Sequence, residues 1–344
     1  MNQPPPRPTP LPARIDPLAI RAYSVTTALG RGLEAQFDAL MTRTSGLAPN
    51  HFSEQVTGTP LDCFIGRVAG IEEAPLPADL ARWECRNNRL AWLALRQDGL
   101  LEAIAQAVEQ HGADRVAVVI GTSTSSIGAS EEAYARLDGE GQFPPDLAHP
   151  IVHTPHSLGS FVQQALRLAG PCVTVATACS SSAKVFAQAS RLIAAGFADA
   201  ALVGGVDTLC GSVLFGFNAL QLVSSAPCKP FDAARDGLSL GEAGGFALLA
   251  RSGGGAGGLQ LRGYGESSDA HHMSAPHPTG LGAQLAMRDA LARAGIEASA
   301  VGYLNLHGTA TPANDRIEAL AVKALFPDSL HASSTKGWTG HTLG

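Results

Sequence analysis

The chain has 344 residues, a formal net charge of −6 and a hydrophobic content of 45%. This composition is typical of a globular protein with a large buried interior, because a disordered chain would be poorer in apolar residues and richer in charge. The negative net charge gives no support to a nucleic-acid partner, and no apolar run approaches the length of a membrane span.

The first residues, MNQPPPRPTPLPAR, are rich in proline and contain no apolar segment of the signal-peptide type. We expect residues 1–15 to form a disordered, Pro-rich tail, and we expect the protein to be cytoplasmic. None of the cysteines forms a C-x-x-C pair, so the spacing gives no support to a structural zinc site. The cysteines are Cys63, Cys85, Cys172, Cys179, Cys210 and Cys228.

Predicted strands and helices alternate through the first half of the chain. The residues at 89–111 have the apolar spacing of a helix, in two pieces around Gly99. Further predicted elements are strands at 18–25, 115–121, 173–178 and 200–207, and helices at 33–43, 157–170 (closed by Gly170) and 180–195. This alternation with short connections predicts an α/β fold, in which helices cover a parallel or mixed sheet.

A glycine-rich segment, SGGGAGG at 252–258, separates two apolar stretches. It is typical of a linker between domains, and equally of a surface loop in a hairpin. We place the boundary here, between an N-terminal half at 16–252 and a C-terminal half at 259–344. The elements predicted for the second half are helices at 281–294 and 315–326 and strands at 301–308 and 331–336.

Cys179 lies where the predicted strand VTVATA ends and the next helix begins. The free N–H groups of a helix N-terminus favour negative charge, so we expect a stabilised thiolate, the nucleophilic form of cysteine. Ser180, Ser181, Ser182 and Ala183 are small and leave room for a substrate. The alternative interpretation is an inert thiol packed in the core.

Two histidines and a lysine lie at predicted strand ends in the C-terminal half. His307 follows a strand in NLHGTATPANDRIE, and Lys336 and His341 are five residues apart in SSTKGWTGHTLG. A lone histidine is usually structural and a lone lysine solvated, but together with Cys179 they form a coherent set for acyl transfer.

Two other clusters carry charge or metal-ligand atoms. His149, His153 and His156 have ligand-like spacing, but prolines interrupt any helix there, so we expect a pocket or interface loop instead of a metal site. The arginines of RWECRNNRL (Arg82, Arg86 and Arg89) fit either a docking surface for an acidic protein partner or a solvated helical face.

Three of these motifs, TACSSSA, LHGTATPANDRIE and STKGWTGH, resemble the active-site signatures of the β-ketoacyl-acyl-carrier-protein synthases, the condensing enzymes of the thiolase superfamily. KPFDAARDGLSLGEAGGFALL at 229–249 resembles a further family segment. The resemblance covers roughly residues 18–344 and implies a thiolase-like, five-layer αβαβα fold with two similar halves.

The family continues for several dozen residues beyond the last of these motifs, with a Gly-Phe-Gly-Gly-like segment near the active site, whereas this sequence stops at Gly344. The resemblance therefore implies an incomplete C-terminal half. The sequence is either a fragment or a truncated form, and for a truncated form we expect weakened acyl transfer, by on the order of 100-fold or more.

By this resemblance, Cys179 accepts an acyl group as a thioester from acyl carrier protein. Decarboxylation of a malonyl group on the carrier then supplies the carbanion that attacks the thioester. His307 and His341 would stabilise the enolate oxygen as neutral N–H donors, and Lys336 would set the electrostatics and position of the two histidines.

Three further residues take supporting roles by the same resemblance. Glu318 would order the site and pair with Lys336. Thr309 and Thr311 would contact the phosphopantetheine arm, although a role as ST-turn residues that stabilise the loop is a rival interpretation. The resemblance implies no metal and no redox cofactor, because loss of carbon dioxide drives bond formation. The substrates are carried on the phosphopantetheine of acyl carrier protein. Family members are homodimers or heterodimers.

Three alternatives stay open beside the synthase. A chain-length-factor partner subunit typically lacks the nucleophile, and a thiolase should show a different C-terminal His and Cys pattern. A scaffold would be indifferent to Cys179→Ala. Within the synthases, ECRNNRLAWLAL and VDTLCGSVLFGFNALQLVSSAPCKPFD are similar to enzymes of aryl-polyene or pigment pathways.

Overall fold

The computed structural model describes residues 13–252, 258–272 and 275–344. Residues 1–12 of the expected Pro-rich tail and residues 253–257 of the glycine-rich segment lie outside the described residues. No helix of the described residues is long and apolar enough to cross a membrane.

The strands are β1 (Leu18–Thr27), β2 (Gly30–Arg31), β3 (Leu47–Pro49), β4 (Phe64–Gly66), β5 (Val116–Gly121), β6 (Cys172–Val175), β7 (Ala200–Asp207), β8 (Leu240–Gly241), β9 (Ala243–Arg251), β10 (Gln260–Leu261), β11 (Tyr303–Asn305) and β12 (His331–Ser333). The α-helices are α1 (Gly32–Met41), α2 (Phe52–Thr57), α3 (Arg86–Leu95), α4 (Leu100–His111), α5 (Ile127–Ala135), α6 (Ser157–Ala165), α7 (Ser181–Ala194), α8 (Gly211–Ala219), α9 (Leu281–Ala294), α10 (Pro312–Lys323) and α11 (Lys336–Thr339). Short 3-10 helices span Ala78–Trp83, Ala113–Arg115 and Ala298–Ala300.

A seven-stranded mixed sheet organises the first half, in the order β10-β1-β9-β7-β5-β6 with β2 beside β1. β5 runs parallel to both β6 and β7, whereas β9 is antiparallel to β1 and β7. All six residues of β5 are buried, which agrees with its continuous apolar sequence. The α/β prediction is confirmed by this sheet.

Helices cover both faces of the sheet. One core packs α3, α4 and α6 on one face and includes the fully buried Leu90, Phe161 and Ile120. On the other face, α7 contributes Val185, Ala189 and Ile193 to a second core. The position of α7 matters for function, because its N-terminus follows Cys179 directly.

One predicted break between helices agrees with the structure, and two predicted helix ends differ from it. The break between α3 and α4 falls at Gly99, as predicted, where φ is +70°. α6 ends at Ala165, before the predicted closure at Gly170. α10 begins at Pro312, earlier than predicted, because a proline at the first helical position is already set for helical φ and Thr311 takes the N-cap position.

The glycine-rich segment does not join the two strands of a hairpin. β10 pairs with β1, and β1 separates it from β9 in the sheet. Two small sheets carry the remaining site loops: β3-β4-β8, and the parallel pair β11-β12.

Candidate active site

Cys179 lies in a tight turn between β6 and α7. Ala178, directly before it, has φ +54°, a conformation that a residue with a side chain rarely adopts. The Ser181 backbone N–H and hydroxyl both donate to the Ala178 carbonyl, at 3.0 and 2.6 Å. Gly121 at the end of β5 lets the helix approach, since an added Cβ would lie 2.6 Å from the Ser181 carbonyl carbon. The close packing of α7 on the sheet and the left-handed turn at Ala178 together fix the position of the Cys179 thiol.

His307 follows β11 in a loop that a carboxylate holds in place. The Glu318 carboxylate on α10 accepts the backbone N–H groups of His307 and Gly308, at 2.6 and 2.8 Å. Gly308 has φ +46°, and an added Cβ there would lie 2.4 Å from Ser334 Cβ. The Ser334 hydroxyl donates to the Gly308 carbonyl at 3.0 Å. The His307 loop is therefore tied to the loop that carries Lys336.

His341 is fixed through both its backbone and its ring. Its N–H donates to the Ser239 carbonyl at 2.7 Å, and its carbonyl accepts the Gly241 N–H at 2.9 Å, beside β8. The ring Nδ1 accepts the Leu343 N–H at 3.0 Å. In the neutral ring the proton is then on Nε2, so that Nε2 is a hydrogen-bond donor.

The two halves of the chain bring these three groups together. The Cys179 Sγ and one ring nitrogen each of His307 and His341 all lie within 4.8 Å of one another. The two imidazole rings are 5.5 Å apart between centroids and nearly perpendicular, at 84°. The structure therefore brings together the three residues predicted to carry the chemistry, although Cys179 is more than a hundred residues from either histidine in sequence.

Both imidazoles are held neutral. Burial, followed by the positive charge of Lys336, lowers the pKa of His307 from 6.5 to about 4. The same two causes, with a further contribution from His307, lower the pKa of His341 to about 3. At neutral pH the two rings can therefore donate N–H groups without carrying charge.

Cys179 is exposed in this structure, yet its thiol is not a stabilised thiolate. Loss of surrounding water raises the pKa of the Cys179 thiol above its ordinary value, and the charge of Lys336 only partly opposes this. The prediction of a low-pKa thiolate at the start of α7 is therefore wrong in direction. Here desolvation outweighs the charge of the lysine.

Lys336 begins α11, and burial lowers the pKa of its ammonium group. Glu318 acts on Lys336 only as a nearby charge; its oxygens bind the His307 and Gly308 amides instead of forming an ion pair with the lysine. The predicted Glu318–Lys336 pair is thus replaced by a carboxylate that orders the histidine loop.

Thr309 and Thr311 are both buried, and their hydroxyls hydrogen-bond each other at 2.9 Å. The Thr309 hydroxyl also accepts the Thr311 N–H at 3.4 Å. These bonds lie within the loop and match the ST-turn interpretation of the two residues; contact with a phosphopantetheine arm stays a prediction.

Asp315 is a site residue that the sequence argument missed. Its buried carboxylate accepts the N–H groups of Phe231 and Ala310, at 2.8 and 3.2 Å, and its Oδ2 lies 3.7 Å from Arg235 Nε. The available signal was its place in LHGTATPANDRIE, three residues before Glu318. Asp315 joins the KPFDAARDG segment to the histidine loop.

The ligand-like histidine spacing has no metal geometry in the structure. His153 contacts the Ser130 hydroxyl through Nδ1 at 2.9 Å and the Leu147 carbonyl through Nε2 at 2.8 Å. His156 Nδ1 lies 2.5 Å from the Thr174 hydroxyl. The hydrogen bonds of His153 and His156 therefore hold their loop against neighbouring segments of the chain.

The three arginines around the start of α3 are held by partners within the chain. Arg86 pairs with Glu72 and, at 2.6 Å, with the fully buried Glu242. The side chain of Arg89 pairs with Glu84. Arg82 donates to the Gln164 side chain. Arg86 is thus a structural ion-pair residue, neither a docking group nor part of a solvated face.

The cluster of one thiol and two imidazoles also has the donor types that Zn²⁺ prefers. The tautomer of His341 opposes this use, because Nδ1 is occupied by the Leu343 N–H and Nε2 carries the proton. The ammonium group of Lys336 adds a positive charge beside the same atoms. The arrangement suits hydrogen-bond donation better than metal ligation.

Comparison with known proteins places this geometry in a family. Residues 16–253 match the model of the β-ketoacyl synthase N-terminal domain, and residues 259–344 match that of the C-terminal domain. Nodulation protein E from Rhizobium meliloti (strain 1021) is 36% identical over 260 residues, which are 73% of this chain and 63% of that protein. The 3-oxoacyl-[acyl-carrier-protein] synthase 2 of Staphylococcus aureus is 33% identical over 263 residues, 71% of this chain and 64% of that protein. The alignments thus span less than two thirds of the length of these curated relatives.

Solved structures show the same fold. The ketosynthase ApeO, in complex with its chain length factor ApeC, from Xenorhabdus doucetiae matches 96% of this chain and 81% of its own, with a TM-score of 0.86 and 35% identity. A β-ketoacyl synthase from Burkholderia phymatum STM815 matches 96% of this chain and 83% of its own, with a TM-score of 0.83 and 26% identity. The fold is therefore the thiolase-like α/β fold of ketosynthases. Since the cysteine loop lies in one matched domain and both histidine loops in the other, the chain belongs to the β-ketoacyl synthase family.

Proposed function

We propose that this chain catalyses the decarboxylative Claisen condensation of malonyl-acyl-carrier-protein with an acyl group held as a thioester on Cys179, in fatty-acid or polyketide biosynthesis. The observation that carries the proposal is the convergence of the Cys179 sulfur and two imidazole nitrogens within 4.8 Å, with both imidazoles held neutral. A nucleophile beside two uncharged N–H donors suits a reaction in which negative charge develops on an oxygen.

The first step is loading of the acyl group. The Cys179 sulfur attacks the carbonyl carbon of the acyl-carrier thioester, a new C–S bond forms, and the C–S bond to the carrier's phosphopantetheine breaks. The proton lost from Cys179 leaves with the carrier thiol. Because the pKa of Cys179 is raised, its thiol loses the proton during the attack instead of before it. The positive charge of Lys336 lowers the free-energy cost of this deprotonation.

The second step is decarboxylation and condensation. The C–C bond to the malonyl carboxylate breaks, carbon dioxide leaves, and the electron pair forms an enolate whose oxygen accepts the N–H groups of His307 and His341. The enolate carbon then attacks the Cys179 thioester, a C–C bond forms, and the Cys179 thiolate leaves and regains a proton. Neutral rings favour this step, because their hydrogen bonds strengthen as charge appears on the oxygen.

The same proposal includes the protein partners of this chain and its location in the cell. The partners are an acyl carrier protein and a second ketosynthase-type subunit, in a homodimer or a heterodimer. The heterodimer is supported by the ApeO likeness, since that ketosynthase was solved with its chain length factor. No metal or redox cofactor is included, because loss of carbon dioxide drives bond formation. The six free cysteines support the reducing cytoplasm as the location.

Intact-protein mass spectrometry after mixing with acyl-carrier thioester tests the first step. We expect a mass gain of one acyl group in the wild type and in Cys172→Ala, a matched control in which another incompletely buried cysteine is removed. Cys179→Ala should show no gain. A gain in Cys179→Ala would assign loading to another residue, and no gain in any of the three proteins would overturn acyl transfer by this chain.

The acyl class is proposed from sequence, as an aryl-polyene or pigment type. Comparing aryl-polyene and saturated alkyl primers in the same mass assay tests it. Faster loading of the conjugated primer would support the assignment, and a clear preference for saturated alkyl primers would overturn it.

A further inference from the structure

Asp207 ends β7 and is almost fully buried, at 1% exposure. Its carboxylate forms no ion pair with the described residues; it is satisfied by hydrogen bonds alone. Oδ1 accepts the hydroxyls of Thr122 and Thr124, both at 2.7 Å, and the Thr124 N–H at 2.8 Å. The Ser123 N–H donates to both oxygens, at 3.0 and 2.9 Å. These donors satisfy a buried polar group that would otherwise be costly inside the protein.

The second oxygen reaches the loop of a catalytic histidine. Oδ2 accepts the Gly344 N–H at 2.7 Å. The preceding residue, Leu343, donates its N–H to Nδ1 of His341 and has φ +68°. The hydrogen bond at Gly344 therefore holds the segment that sets the tautomer of His341, and it joins that segment to the loop after β5.

We propose that Asp207 is a positioning residue of the condensation site, which fixes the donor tautomer of His341 by holding Gly344 and, with it, the Leu343 N–H. This inference rests on the proposed function for its catalytic consequence. Its physical part is measurable without any substrate.

Asp207→Asn separates this role from a merely structural one. If the amide oxygen keeps the donors of the β5 loop, its NH₂ group faces the Gly344 N–H, and that bond is lost. Nitrogen-15 NMR of the histidine rings should then show the His341 proton shared between Nδ1 and Nε2 instead of held on Nε2, because the Leu343 N–H no longer fixes the tautomer. Malonyl-carrier decarboxylation should fall by about tenfold, because the His341 donor is no longer fixed. A merely structural lesion would lower decarboxylation without changing the tautomer.

Two further variants complete the test. Thr124→Val removes one donor to Asp207 but leaves the bond to Gly344, so the His341 tautomer should match the wild type. Asp207→Glu keeps a carboxylate but displaces it, so decarboxylation should fall; it also serves if Asp207→Asn does not fold. Amide hydrogen exchange of residues 340–344 should be faster in both Asp207 variants.

The outcomes distinguish this inference from the proposed function. Absence of decarboxylation in the wild type would remove the proposed function, while the His341 tautomer and hydrogen exchange would still decide the role of Asp207. An unchanged tautomer and unchanged exchange in Asp207→Asn would overturn the inference.

Discussion

The two halves of the chain hold their site residues by different interactions. Cys179 lies at the end of a seven-stranded sheet, where α7 packs against β5 through aliphatic side chains and the close approach at Gly121. His307 and His341 are placed beside strands of two or three residues, and their loops are fixed by carboxylates and backbone amides. Added volume should therefore disturb the nucleophile most, whereas loss of a hydrogen-bond acceptor should disturb the histidines.

The largest expected effect is the loss of a histidine. His307→Ala and His341→Ala should each lower malonyl-carrier decarboxylation by about 10²- to 10³-fold, because each removes one donor to the enolate oxygen. Alkylation of Cys179 should be retained, since the nucleophile is held by the other half. His331→Ala, at an exposed position on β12, is the control and should leave both rates at the wild-type level. Decarboxylation that survives either site substitution would remove that histidine from the mechanism.

A methyl group added at Gly121 should destabilise the N-terminal half. Gly121→Ala places a Cβ 2.6 to 2.8 Å from the backbone of Ser181 and Ser182, and we expect a loss of about 1–3 kcal/mol in the free energy of unfolding. Acyl loading on Cys179 should fall with it, because the start of α7 must move. Denaturant unfolding and the mass assay measure the two effects.

Gly216→Ala is the matched control for that substitution. Gly216 lies within α8, and no atom is within 4 Å of an added Cβ. We expect unchanged loading and a gain of about 0.5–1 kcal/mol, because alanine favours the helix. A Gly121→Ala protein as stable as Gly216→Ala would contradict the close-packing argument.

Glu318→Gln should weaken the C-terminal half alone. It replaces one of two carboxylate oxygens by a donor, so one amide of the His307 loop loses its acceptor. We expect decarboxylation to fall by about tenfold. Acyl loading should stay at the wild-type rate, and a parallel fall in loading would show that the two halves are not separable in this way.

The sequence predicted the regular elements well where their pattern was long. The continuous apolar run of β5, the alternation of strands and helices from β5 to β7 and the two-part helix around Gly99 are local signals. The structure contains all of them. Cys179, His307, His341 and Lys336 could be proposed as site residues because each lies in a segment that resembles a family signature. The structure adds their proximity, which pairs distant parts of the chain.

Features that depend on three-dimensional context were not predictable. The left-handed φ of Ala178, Ala310 and Leu343 was not predictable, because none of the three residues is a glycine, the residue type that usually signals it. The raised pKa of Cys179 arises from desolvation, which a sequence pattern does not show. The prediction for Glu318 was wrong because its partners are backbone amides, and a sequence pattern does not show which amides lie near a side chain.

The last expected effect is the dependence of stability on pH, which is absent at neutral pH. The pKa values of His307 and His341 are lowered from 6.5 to about 4 and about 3, so the unfolded chain binds protons that the folded chain does not. Stability should be complete above pH 6.5 and fall as the pH is lowered toward these values, by up to about 1.4 kcal/mol per pH unit for each histidine. Urea unfolding of the wild type and His341→Gln measures the difference: the variant should lose less stability over this range, because one neutral buried imidazole is gone. An equal loss in both proteins would mean that the pKa of His341 is not lowered in the folded state, which would contradict the assignment of a ring kept neutral by burial.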